Sequence, residues 1–164
     1  MKKTKALEMV ARSGLPHEVR AFAASEFTAE EAARELGLPL HVVFKTLLAT
    51  GERRGTVLAV VPGDHSLSLR KLAEAMGDKR AEMVDLNDLT RLTGYLKGGV
   101  SPLGTKRSFP VFLDQRAFQQ AYISVSAGQR GLQIIIAPAH LQQIAHATVV
   151  DLVDDLWLFA HEQP

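Results

Sequence analysis

Tyr122-Ile123-Ser124-Val125-Ser126-Ala127-Gly128-Gln129-Arg130-Gly131-Leu132-Gln133-Ile134-Ile135-Ile136-Ala137 is the stretch on which the fold turns. Two runs suited to strands, 122–127 and 132–137, flank four residues that begin and end with glycine, which is a hairpin signal. Two neighbouring runs, 42–49 and 56–61, also imply antiparallel pairing, and Pro62-Gly63-Asp64 ends the second of them. Shorter strands are predicted at 17–22, 109–113 and 149–153. Helices are predicted at 2–13, ahead of Gly14, and from the capping box Thr28-Ala29-Glu30-Glu31 to Gly37. Three more follow: Ser68 to Met76, a helix capped by Asp85 with Leu86, Leu89 and Leu92 inward, and Pro138 to about Ala145. Strands and helices interleave without a strict βαβ period. The expectation is an α/β (α+β) fold: a mixed, largely antiparallel, barrel-like sheet flanked by helices, in a single domain over 1–164.

Composition limits the chemistry. With 164 residues, 46% of them hydrophobic and 23% charged, the chain can bury a sizeable core. No apolar run has the ~20 residues of a membrane helix, and the N-terminus lacks the pattern of a signal peptide. A cytoplasmic protein with no membrane partner is expected. There are no cysteines, so disulfides, thiolate metal sites and a cysteine nucleophile are excluded together. The histidines show no ligand spacing, and there is no phosphate-loop or dinucleotide fingerprint; no metal and no cofactor are expected. The net charge is only +1, yet residues 91–130 carry Arg91, Lys97, Lys106, Arg107, Arg116 and Arg130 against Asp114 alone. Such a window suits a polyanion contacted over a small area, or a solvated basic surface.

Three features could carry chemistry. Lys45 alternates with Val43 and Leu47 on one face of a predicted strand, where an ammonium is costly unless it reaches a partner or a cavity. A gatekeeper lysine on an edge strand or one that snorkels to the surface would look the same. Gln133 is an amide in an apolar strand, with Ser124 and Ser126 on the neighbouring strand as potential partners; a satisfied network and a ligand contact are both open. The segment Gly98-Gly99-Val100-Ser101-Pro102-Leu103-Gly104 is either a turn or a loop that presents main-chain donors to a carbonyl or phosphate. Phe27, just ahead of the capping box, reads locally as a hydrophobic staple on Ala32.

Taken together, Phe44-Lys45-Thr46-Leu47-Leu48, Thr93-Gly94-Tyr95-Leu96 with Gly98 to Gly104, and Val125-Ser126-Ala127-Gly128 with Arg130-Gly131-Leu132 resemble the YbaK/EbsC family of aminoacyl-tRNA deacylases. The likeness runs in register over about residues 1–155. It implies a free-standing relative of the editing domain of bacterial prolyl-tRNA synthetases. The implied activity is trans-editing hydrolysis of mischarged aminoacyl-tRNA, most typically Cys-tRNA(Pro), with an Ala or Ser deacylase and a non-catalytic tRNA-end or synthetase-binding module as the alternatives. Prolyl-tRNA synthetase is a potential partner beside the tRNA acceptor end.

The resemblance places the essential lysine on Lys45, the element that contacts the 3′ end on Gly98 to Pro102, and a pocket phenylalanine on Phe27. For the reaction it implies, backbone N–H groups at Gly98, Gly99 and Ser101 are expected to act with Lys45. Phe22, Phe27, Thr46, Tyr95, Val100, Pro102, Ser126, Gly128 and Gln133 are expected at the substrate. Lys97, Lys106, Arg107 and Arg130, from the basic window, are expected at the tRNA. The chain departs from the YbaK branch at Gln133 (aspartate there), Ala127 (glycine) and Phe22 (tyrosine).

Overall fold

The structure, a computed structural model, describes residues 3–154. Five helices and eight strands follow in the order α1 (Lys5–Ser13), β1 (His17–Ala21), α2 (Ala29–Leu36), β2 (Phe44–Gly51), β3 (Thr56–Pro62), α3 (Leu69–Met76), β4 (Ala81–Met83), α4 (Leu86–Thr93), β5 (Val111–Asp114), β6 (Ile123–Gln129), β7 (Leu132–Ile136), α5 (Pro138–Ala145) and β8 (Thr148–Val150). None of the described helices is long and apolar enough to cross a membrane.

The strands form two sheets rather than one closed barrel. A five-stranded sheet runs β4-β2-β3-β5-β8 and a three-stranded sheet runs β1-β7-β6. The smaller sheet is antiparallel throughout. The larger is antiparallel across β4, β2 and β3, then parallel across β5 and β8, so it is mixed as expected. A single parallel bridge, Val43 to Ser124, joins the two. Beyond that bridge the edge of β2 separates from β6, and the candidate site lies there.

The larger sheet is covered on both faces. Phe44, Leu48, Leu58, Val60 and Leu113 pack with Ile123, Val125, Leu132 and Ile134 of the smaller sheet. On the other face Ala49, Val57, Ala59 and Val61 pack with Leu72 of α3 and with Leu152. Burial on both faces explains why β3 reads as an unbroken apolar run instead of an alternation. Ala32 and Ala33 of α2 pack with Val42 and Val43 as a smaller cluster.

Several local expectations are corrected. Lys2, the predicted start of α1, lies outside the described residues; Thr4 caps the helix, its hydroxyl accepting from the Leu7 N–H. Leu86 does not point inward: at the first position of α4 it is 60% exposed. Strand β4 was not expected, since three residues give too short a pattern. The last strand ends at Val150, and Val153 makes only an isolated bridge to Leu67. The capping box is half formed. Thr28 Oγ1 accepts from the Glu31 N–H, but the Glu31 carboxylate accepts from the N–H groups of Ser25, Glu26 and Phe27 and from the Ser25 hydroxyl.

Candidate active site

A cavity of about 320 Å³ opens where β2 leaves β6. Its walls are the edge of β2, the first turn of α2, the passage from β4 into α4, and the loop after α4; Ser126 and Gln133 of the smaller sheet also border it. Strand register explains the polar character of the β2 edge. The Val43 carbonyl accepts from Gly63 N–H beside β3, and the Leu48 carbonyl accepts from Val84 N–H on the opposite side. Backbone groups alternate along a strand, so those of Thr46 point away from β3, towards the cavity. The Thr46 hydroxyl is buried there with no hydrogen-bond partner among the described residues.

Lys45 borders the same space, half-buried. Among the described residues its ammonium makes no hydrogen bond and no ion pair. Burial pushes its pKa down, and the charges of Glu30 and Asp64 pull it partly back. A lysine in this state is a cation held ready for an anionic or carbonyl partner.

The loop after α4 supplies main-chain donors. Gly99 N–H donates to the Leu96 carbonyl at 2.8 Å and closes a turn over Leu96–Gly99. Gly98 sits third in that turn with φ of 83°. A Cβ there would lie 2.5 Å from Phe27 Cβ and 2.8 Å from the Phe27 carbonyl oxygen, so the loop meets residue 27 at the closest approach glycine permits. The N–H groups of Gly98 and Val100, residues that border the cavity, make no hydrogen bond among the described residues. Phe27 has φ of 61°, an unfavourable region for a bulky residue. Its ring lies 3.9 Å beneath the Arg130 guanidinium and lines the cavity. Arg130 Nε donates to the Lys97 carbonyl at 2.8 Å, tying the β6–β7 turn to the loop.

Of the residues singled out from the sequence, Phe27, Lys45, Thr46, Lys97, Gly98, Val100, Ser126 and Gln133 border the cavity, and Arg130 reaches its rim through Phe27. The others stand behind it. The Tyr95 hydroxyl donates to the Leu103 and Gly104 carbonyls, and its ring occupies the space a side chain at Gly128 would fill. Ser101 is fully buried, its Oγ accepting from Leu103 N–H, and Pro102 is buried beside it. The Gly99 N–H is already spent on Leu96. Phe22 packs against the α2 cluster and Ala127 lies in the main core, so of the three departures from the YbaK branch only Gln133 touches the cavity.

The basic window does not form one patch. Arg116 pairs with Asp114 and Asp151, and Arg91 with Asp88. Lys106 and Arg107 are exposed farther along the loop. Sequence reasoning missed Glu30, Met83 and Leu86, which all border the cavity. Glu30 was hidden in the helix-start pattern, and β4 was too short to place Met83.

The aminoacyl-tRNA editing domain model matches residues 23–144. This chain belongs to that family. It is 42% identical over 152 residues to EbsC of Enterococcus faecalis, a candidate Cys-tRNA(Pro)/Cys-tRNA(Cys) deacylase, covering 92% of this chain and 93% of that one. A proline–tRNA ligase of Geobacter sulfurreducens is 29% identical over 125 residues, which are 76% of this chain but 22% of the ligase. The solved structure of a candidate trans-editing enzyme for prolyl-tRNA synthetase superposes with a TM-score of 0.81 at 28% identity, covering 91% of this chain and 92% of that one. Membership of this family, with the deacylase relative, makes the chain an aminoacyl-tRNA deacylase.

Proposed function

We propose that the chain, as one editing domain over its whole length, hydrolyses mischarged aminoacyl-tRNA in trans, with Cys-tRNA(Pro) as its foremost substrate. The observation that carries this reading is the meeting of an unpaired, half-buried Lys45 ammonium with the unengaged N–H groups of Gly98 and Val100 in one cavity. Ester hydrolysis develops negative charge on the carbonyl oxygen, and fixed backbone donors stabilise it without reorganising. Lys45 anchors the terminal phosphate or ribose and so orients the ester. Ser126 and Thr46 bring hydroxyls, but among the described residues neither has a histidine or carboxylate in hydrogen-bond contact to activate it. The attacking group therefore comes from water or from the substrate, through its thiol or the neighbouring ribose hydroxyl. With water, its oxygen bonds to the carbonyl carbon, the ester carbon–oxygen bond breaks and the ribose oxygen leaves with the water's proton. With the thiol, sulfur forms that bond, its proton goes to the departing ribose oxygen, and water then opens the thiolactone. With the neighbouring ribose hydroxyl, the acyl group moves to that oxygen and water then releases it.

Lys97 and Arg130 at the rim, with Lys106 and Arg107 beyond them, track the acceptor end. The test is deacylation of Cys-, Ala- and Ser-tRNA(Pro), and of the corresponding tRNA(Cys) and tRNA(Ala) species, by the wild type and by Lys45→Ala. Hydrolysis by the wild type that falls about a hundredfold or more in the variant is expected, with Cys-tRNA(Pro) fastest. Tight tRNA binding without hydrolysis would instead make the chain a binding module.

A further inference from the structure

The amide at 133 faces the cavity with a fixed polarity. Ser124 Oγ lies 2.7 Å from Gln133 Oε1, and Ser124 is fully buried with no other side-chain partner among the described residues. A buried hydroxyl must place its proton on an acceptor, and the one acceptor offered among the described residues is the Gln133 side-chain oxygen. That oxygen is thereby turned towards the buried Ser124, and the group Gln133 presents to the cavity is its NH₂. An NH₂ donates and cannot receive a substrate ammonium.

The aminoacyl ester carries such an ammonium on its α-carbon. Among the described residues bordering the cavity one carboxylate remains, Glu30, at the second position of α2. It makes no hydrogen bond or ion pair among the described residues. It is close enough to Lys45 to bias its protonation, yet not in contact with it. Asp64 also acts on Lys45, but it lies outside the cavity lining and is engaged by His65 at 2.7 Å.

Resting on the proposed deacylase reading, we propose that Glu30 is the receptor for the substrate's α-ammonium, and that Gln133, turned by Ser124, serves an acceptor atom of the substrate instead. The charges of the cavity match those of an aminoacyl-tRNA end: a carboxylate for the ammonium, and the Lys45 and Lys97 ammoniums for the phosphates. A carboxylate in the first turn of a helix also complements the helix dipole, so the test must separate recognition from stability.

The experiment compares kcat/KM for Cys-tRNA(Pro) and N-acetyl-Cys-tRNA(Pro), the latter without an α-ammonium, in the wild type, Glu30→Gln, and Glu30→Gln combined with Gln133→Asp. Melting temperature is followed in parallel. The wild type favours the free amine by about tenfold or more, the scale of a charge-assisted hydrogen bond. Glu30→Gln slows only the free-amine substrate and brings the two within about twofold of each other. Adding Gln133→Asp, which puts a carboxylate at that position, restores a preference for the free amine. Glu30→Gln that keeps the wild-type ratio, or that slows both substrates equally with a lowered melting temperature, overturns the assignment while leaving the deacylase reading intact. Failure of the wild type to hydrolyse either substrate overturns both.

Discussion

Lys45 holds its ammonium half out of water, with Glu30 and Asp64 near but neither in contact. Its folded pKa lies below its unfolded value of about 10.4, so the charged form is disfavoured by folding. That penalty is fully present below the folded pKa and is relieved as pH rises through the folded value towards the unfolded one. Lys45→Met is therefore expected to melt no lower than the wild type at pH 7, and higher if the new side chain packs. The difference should shrink as pH approaches 10 in a series of thermal melts. The same variant should lose about a hundredfold or more in kcat/KM, equivalent to about 2.7 kcal/mol of transition-state stabilisation. A variant that melts lower at every pH would show that Lys45 contributes packing or an ion pair after all.

At the scale of elements, the site depends on how the 22–28 segment is clamped to α2 and to the loop after α4. Burial pushes the Glu31 carboxyl up, but the Ser25 hydroxyl and the N–H groups of Ser25, Glu26 and Phe27 outweigh it and hold the pKa at about 2. A depressed carboxylate contributes stability that is present above its unfolded value of about 4.3 and lost as pH falls towards the folded one. Melting temperature should fall across that acid window in the wild type, and the slope should flatten in Glu31→Gln, which starts lower at neutral pH. Because the clamp holds Phe27 in its unfavourable backbone conformation, KM should rise in the same variant.

Gly98→Ala tests the other side of the clamp. A Cβ at φ of 83° costs about 1–2 kcal/mol in backbone strain alone, and here it also meets Phe27. The variant should fold with native circular dichroism and lose at least about tenfold in kcat/KM. Native activity would show that the loop adjusts without moving its donors.

On the scale of the whole molecule, the net charge is near neutral, and long-range attraction to tRNA is predicted to come from Lys97 and Arg130 at the rim together with Lys106 and Arg107 farther along the loop. Lys106→Ala with Arg107→Ala should reduce the slope of log K for tRNA against log salt by about one to two, while cleavage of a minimal aminoacyl-adenosine ester stays within about twofold. An unchanged slope in a binding titration would move the tRNA surface elsewhere.

The sequence by itself determined the elements and much of the chemistry. The Gly128–Gly131 turn announced its hairpin, alternation put Lys45 on an apolar face, and Gly98 to Gly104 marked a loop of close approach. These are local signals, carried by periodicity and by glycine and proline geometry. The tertiary structure decided what converges. Only folding separates β2 from β6 past a single bridge and leaves the Thr46 edge open to a cavity. Only folding sends the Glu31 carboxylate to Ser25, Glu26 and Phe27 instead of back to its own cap, and seats Arg130 on Phe27. Glu30 and Met83 belong to the site because elements distant in sequence meet there, and no local pattern records such a meeting. The polarity of Gln133 is of the same kind: it follows from a buried serine proton whose one acceptor among the described residues is an oxygen nine residues away.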